Sequence, residues 1–378
     1  MPDNAGFVAD TEPFRRELLA HCYRMLGSIQ DAEDLVQETY LRAWRSYGGF
    51  EGRSSVRTWL YQIATNGCLT ELAKRSRRML PSDLCAPGQD PEASLEGAGT
   101  EVNWLQPVPD AMVTPDSADP AAIITAREGL RLALIASLQF LPPRQRAILV
   151  LRDVLAFPAT EVAVMLGTTT VSVKSALQRA RTRLKELAPA ADQIAEPTES
   201  QARALLDQYI AAFENAAAAA LERLLTQDAI IEATPMRTWF AGRKTCVLFL
   251  RNRLLGSPGE WRMLATSANG QPAVAAYTPR PARDLPAVRN LCAHRHRRRH
   301  PPDLLLRRPK TGHRVRVPAG HGTGKGRLIG SLRCLKPGGT GGYLSKPGDG
   351  HSHEVRACSL AQGVLSDSFP VLAWSSWV

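Results

Sequence analysis

Between Pro158 and Leu187 two short helical patterns meet across a single glycine, and no other stretch limits the fold as tightly. The first runs Ala159–Leu166, with Val162, Ala163 and Leu166 on one side. Pro158 suits a helix start, where its missing N–H leaves no bond unmade. Gly167 supplies the turn, and Thr168, Thr169 and Thr170 offer N-caps for a second helix reaching about Leu187. There Val173, Leu177, Ala180 and Leu184 recur at helical spacing as one apolar stripe. Such a pair buries its stripes helix on helix, which is a helix-turn-helix. Ser172, Lys174, Ser175, Gln178, Arg179, Arg181, Arg183 and Lys185 lie off the stripe, and no acid appears before Glu186. A helix with one greasy side and one basic, amide-bearing side fits the DNA major groove. The bland alternative is a solvated basic helix on an ordinary bundle.

Residues 12–79 also read as helices. Asp31 to Tyr47 places Leu35, Val36, Leu41 and Trp44 at roughly helical spacing, until Gly48 and Gly49 break it. Asp31, Glu33, Asp34 and Glu38 crowd around Leu35 and Val36. Asp31 reads as a helix cap, and the four acids together as a docking face for a basic protein surface. The turn-rich loop Phe50–Ser55 follows, with Ser54 or Ser55 capping a helix from Val56 through about Arg77. That helix carries Trp59, Tyr61 and Asn66, then Lys74, Arg75, Arg77 and Arg78. Rings that stack on unpaired bases and cations that hold the backbone suit single-stranded DNA. A loop beside them can enclose an extruded base. Against this, Trp59 and Ile63 are spaced as core residues.

Residues 81–120 have linker composition, with seven prolines and many acids. Trp104-Leu105-Gln106-Pro107 is a short patch able to dock on a neighbour. Helical patterns resume over 121–188, where Pro142-Pro143 separates Leu130–Leu141 from Arg144–Leu155. Residues 198–277 read as α+β. A helix over Gln201–Asn215 and an Ala-rich helix ending near Leu225 precede strands expected at Ala229–Glu232, Cys246–Leu250, Trp261–Thr266 and Ala273–Tyr277.

At about Thr278 the character changes. Residues 278–378 carry 18 Lys and Arg against 5 Asp and Glu, a net of +13, so the +11 of the whole chain arises there. Arg, Pro, His and Gly make up 44 of these 101 residues, and seven of the eight histidines lie among them. A disordered basic tail and a shifted reading frame both produce this mixture; the abrupt onset favours the shifted frame. Cys292, His294, His296 and His300 match no common zinc spacing. His321–Gly326 fails as a phosphate loop, because Ala319 and Gly326 stand where glycine and a hydroxyl are needed. No cofactor and no metal site is expected. Between His21 and His294 there is no histidine general base, and the carboxylates Asp228 and Glu232 alone do not make a catalytic site. No membrane span, no secretory signal and no disulfide framework is read from the chain, so a cytoplasmic protein is expected.

The order of these pieces resembles a known family. Gly27–Trp44, with its Asp31-Ala-Glu-Asp-Leu-Val-Gln-Glu38 core, is similar to the second conserved region of extracytoplasmic-function (ECF) sigma factors. Ser55–Asn66 resembles their helix for the −10 promoter element, and Leu141–Asp153 with Val171–Arg181 resembles the fourth region, which reads the −35 element. The segment 198–277 resembles a SnoaL-like cone domain, as does Trp104–Asp110 the linker of the subgroup that carries one. The resemblance implies a mainly α protein. Sigma region 2 spans 10–80 and a linker 81–120. Region 4 with its helix-turn-helix spans 121–190, ahead of an incomplete α+β cone at 198–277 and a disordered or out-of-frame tail at 278–378. It implies core RNA polymerase as partner, through the clamp of the largest subunit and the flap of the second, together with promoter DNA. The chain's own C-terminal domain would add a regulatory contact. Asp31, Asp34, Leu35, Gln37 and Glu38 would bind the polymerase. Phe50, Arg53, Ser54, Trp59, Asn66, Lys74, Arg75 and Arg77 would hold the −10 strand. Ser172, Lys174, Ser175, Gln178, Arg179 and Arg183 would meet the −35 duplex. Two other readings stay open: a helix-turn-helix regulator that needs no polymerase, and a SnoaL-like cyclase or isomerase fused to a DNA-binding module.

Overall fold

The structure is a computed structural model. It describes residues 4–99, 101–114, 129–187, 199–232 and 234–277, together with 331–334, 359–361 and 371–373. The front module holds α1 (Asn4–Thr11), α2 (Arg15–Leu26), α3 (Ile29–Ser46) and α4 (Val56–Leu72). Gly27 ends α2 in the left-handed region (φ 67°), where a Cβ would meet Leu105 Cδ1 at 2.7 Å. Ser28, not Asp31, caps α3: its Oγ accepts from the Asp31 amide at 3.2 Å. Asp31 stands one turn inside, where its charge suits the helix N-terminus. Ser55 caps α4, accepting from the Thr58 amide at 3.0 Å. The helix stops at Leu72, short of the expected Arg77. After Ala73 no apolar residue follows until Met79, so a longer helix would bury no stripe.

Within the presumed linker, residues 104–113 are laid into the fold. Leu105, Val108 and Val113 are buried. The Leu105 amide donates to the Met79 carbonyl at 3.0 Å, and the Gln106 amide to that of Gly27 at 3.0 Å. The short helix α5 (Asp110–Val113) ends this stretch.

The rear module has α6 (Leu132–Leu138), α7 (Pro143–Leu149), α8 (Ala159–Met165) and α9 (Thr170–Leu187). The single helix expected over Arg144–Leu155 is α7 followed by a wide turn, Val150–Val154. One continuous apolar core runs through front and rear modules alike, from Phe7 to Ala180. Despite the proline-rich connection the two modules share this core, and α8 packs on α4.

A second core, from Leu205 to Ala276, belongs to the C-terminal module. There α10 (Glu199–Glu214) and α11 (Ala218–Leu224) accompany β1 (Ala229–Glu232), β2 (Trp239–Ala241), α12 (Arg243–Phe249), β3 (Arg262–Ala268) and β4 (Gln271–Tyr277). The strand expected at Cys246–Leu250 is the end of α12 and the wide turn after it. A five-residue apolar run has no period that separates strand from buried helix. β2 was not anticipated. β3 and β4 form an antiparallel hairpin, Ala268 opposite Gln271, turned by Asn269 (φ 54°) and Gly270 (φ 71°). Three short strands of the basic tail, β5 (Ser331–Cys334), β6 (Ser359–Ala361) and β7 (Val371–Ala373), complete sheets ordered β2-β1-β5 and β3-β4-β7-β6. The expectation that the tail adds no strand is corrected at those segments. Its Cys/His cluster and Gly-rich run lie outside the described residues.

Candidate polymerase and promoter interface

The acidic face rides on α3. Its apolar side, Ile29, Ala32, Leu35, Val36 and Ala43, is buried, which turns Asp34 and Gln37 outward and leaves Glu38 half-exposed. Leu35 is 7% exposed and fills the space above Gly67, so it is a core residue rather than a surface one. Glu38 pairs with Arg42 at 2.8 Å on an open surface, worth at most about 1 kcal/mol. Asp31 is engaged from the far end of α4: Arg75 Nη1 lies 2.6 Å away, and Arg78 also donates to it. Its hydrogen bond to the Asp31 carboxylate pushes the Arg75 guanidinium above its usual range. Leu41, one turn past Glu38, is 46% exposed and extends this face with an apolar side chain.

The aromatic group beside it is a chain of rings. Phe50 lies 4.9 Å from Trp59, Trp59 6.4 Å from Tyr47, and Tyr47 5.1 Å from Phe7. Phe50 and Trp59 are half-buried beside the exposed loop 51–55. Gly52 turns that loop at φ 68°, and Arg53 and Ser54 stand out in water. Trp59 therefore serves as part of the core and as part of a surface. Asn66 faces α8 and donates to the Met165 carbonyl at 3.3 Å. The basic cluster is divided. Lys74 pairs with Glu71 at 2.8 Å, Arg75 and Arg78 with Asp31, and Arg77 lies 3.8 Å above the Phe140 ring.

The rear reading surface is simpler. Val173, Ala176, Leu177 and Ala180 are buried on α9. Ser172, Lys174, Ser175, Gln178, Arg179 and Arg183 are all exposed. Thr169 caps the helix, accepting from the Ser172 amide at 3.1 Å. Arg179 leans on Ser175 Oγ at 2.6 Å, and Arg183 donates to the Phe140 carbonyl at 3.2 Å. Arg181 is held by both oxygens of Asp153, at 2.8 and 2.7 Å, which raises its pKa and points it away from the ridge. Val171 is 74% exposed at the start of this helix and adds an apolar contact absent from the sequence reading.

Two model families match these modules. Sigma-70 region 2 covers residues 11–78, and Sigma-70, region 4 covers 131–184. Over 273 residues the chain is 53% identical to the ECF RNA polymerase sigma factor SigG of Mycobacterium tuberculosis H37Rv, covering 72% of this chain and 73% of that one. The chain belongs to the ECF sigma factors. SigJ of the same organism, also an ECF sigma factor, is 33% identical over 175 residues, 46% of this chain and 48% of its own. The SigJ crystal structure aligns at 24% identity and a TM-score of 0.43, covering 72% of this chain and 84% of that one. The matched length of the SigG relative is close to the 277 residues that precede the compositional break. Among the described residues, no helix is long and apolar enough to cross a membrane, and no cluster of His, Cys, Asp or Glu could hold a metal.

Beyond the expected positions, the structure brings in Arg57. It pairs with Glu17 at 2.9 Å and lies 4.7 Å above the Phe157 ring, so it joins α2, α4 and the entry to α8. A lone Arg on a helix carries no sequence signal for that. Asn269 was also missed, although Asn-Gly between two apolar runs is a strong hairpin signal.

Proposed function

We propose that this ECF sigma factor binds core RNA polymerase, directs it to promoters, helps open the duplex and so starts transcription. The polymerase meets the outward face of α3 at Asp34, Gln37 and Glu38, with Leu41 as its apolar border. On this reading α3 takes the clamp of the largest subunit, and the rear module the flap of the second. The Phe50–Ser55 loop and Trp59 take the parted −10 strand, with Asn66, Lys74, Arg75 and Arg77 along its path. The α9 ridge of Ser172, Lys174, Ser175, Gln178 and Arg179 reads the −35 duplex, and Arg183 steadies the backbone.

The observation that carries this reading is α9 itself. Val173, Ala176, Leu177 and Ala180 are buried on its inner side, and every proposed reading residue is exposed. The protein supplies no catalytic group; its role is positioning. The C-terminal module is read as SnoaL-like, supported by the helix α10 packed on the antiparallel β3–β4 hairpin, and as a regulator of the sigma modules rather than an enzyme.

Two variants test the division of labour. Asp34→Arg lowers recovery of core polymerase in a pull-down and leaves the fold intact. Arg179→Ala retains polymerase but weakens promoter binding, by about 1–3 kcal/mol if its contact is a bidentate base pair. If both variants behave alike in both assays, the assignment fails. A regulator that works without polymerase would show no recovery even for the unaltered chain.

A further inference from the structure

We propose that Val171 is a specificity residue of the rear module, and that it reads the C5-methyl group of one thymine in the −35 element. The inference deepens the promoter reading above and rests on it. Val171 is the second residue of α9 and is 74% exposed. It stands one turn before Ser175 and two turns before Gln178, so the three share one outward row. Val173, Ala176 and Leu177 face the core instead. Thr169 fixes the start of the row: its Oγ1 accepts from the Ser172 amide at 3.1 Å and donates to Ser172 Oγ at 3.0 Å. The valine is therefore held at a set place on the first turn of the helix.

At that exposure the side chain adds little to the packing of the rear module. A β-branched residue is also a weaker helix former than a straight-chain one. The residues around it on the ridge, Ser172, Lys174, Ser175, Gln178 and Arg179, are all polar or charged. In a helix-turn-helix the N-terminal residues of the second helix are the ones that contact base edges. The major groove presents hydrogen-bonding groups on every base and a single kind of apolar group, the thymine methyl. Valine has no side-chain donor or acceptor. Set against the other base edges it would strip water from polar groups and offer no bond in return. Set against a methyl it removes two apolar surfaces from water together.

Val164 supplies an internal comparison. It is 72% exposed, nearly as open as Val171, but it lies on α8. The first helix of such a motif crosses the DNA backbone and does not enter the groove. The two valines match in chemistry and exposure and differ in place, so only Val171 should sense the methyl.

The test is selection from a random duplex library by the full chain on core polymerase. Each thymine of the recovered −35 block is then replaced singly by uracil, which lacks only the C5-methyl, and relative affinities are measured. Burial of one methyl group corresponds to roughly a fourfold preference. One replacement weakens binding by about that factor for the unaltered chain and for Val164→Ser. Val171→Ser, which exchanges both methyls for a hydroxyl at an exposed position, binds the thymine and uracil duplexes equally. An unchanged uracil penalty in Val171→Ser, or its loss in Val164→Ser as well, overturns the proposal. A recovered block with no methyl-sensitive thymine defeats the role of Val171 and leaves the promoter reading standing. Enrichment of no −35 block by any form defeats both.

Discussion

Acidification should weaken the front module through one residue, His21. It is fully buried on α2, with Nε2 2.9 Å from Thr65 Oγ1 and Nδ1 without a hydrogen-bond partner. Burial, then the nearby Arg24 and Arg57 charges, lower its pKa from 6.5 to about 3. In the unfolded chain the imidazole takes a proton below its ordinary pKa; in the folded chain it refuses one until far lower. The unfolded state therefore binds more protons between the two values, and stability falls as pH drops through that window. At pH 5 the linkage amounts to about 2 kcal/mol relative to pH 7. For the unit that shares one core from Phe7 to Ala180, about 170 residues, that is a drop of about 4–8 °C in Tm. The assay is thermal unfolding followed by circular dichroism at pH 7 and pH 5, for the unaltered chain and for His21→Gln. Carboxylates titrate in both proteins, so the difference between them isolates the histidine. His21→Gln loses less stability on acidification. An identical pH dependence in the two proteins refutes the buried-neutral account of His21.

Other substitutions probe separate links. Gly27→Ala places a Cβ against Leu105 in a left-handed backbone position and lowers stability by about 1–3 kcal/mol, read by chemical denaturation. Arg179→Ala, on a fully solvated ridge, leaves Tm within measurement error, while Leu177→Ala under the same helix costs about 2–5 kcal/mol. Resequencing the coding DNA across the codons for Tyr277 to Arg280 reveals a frame change; an unbroken frame there contradicts the shifted-frame reading of the basic tail.

The legible parts of this chain were those where local chemistry and packing agree. The turn at Gly167, the caps at Ser55 and the threonines, and the stripe from Val173 to Ala180 each specify one local structure, and tertiary contacts add to it. Strand β1 was readable because Ala229–Glu232 is a short apolar run between turn signals. The Cys246–Leu250 run was misread because helix and strand share that pattern. The limits of α4 were misread because charges that look like a continuing helix face, Arg75 and Arg78, are drawn back to Asp31. Most of all, the sequence hid the packing of α8 on α4. Thr58, Asn66 and Glu161 carry no pattern that announces a partner roughly a hundred residues away. The Asn269–Gly270 turn could be seen as a turn, but the bonds from Asn269 to Tyr23 and Leu130 are a property of the assembled surfaces alone.

The central claim is that this chain confers start-site choice on a polymerase. Purified core bacterial RNA polymerase, with and without the full chain, is given a library of genomic DNA fragments, and the 5′ ends of the transcripts are mapped. Start points that appear only with the chain, each preceded by a shared pair of sequence blocks, are the predicted result. Transcript ends that are the same with and without the chain contradict it.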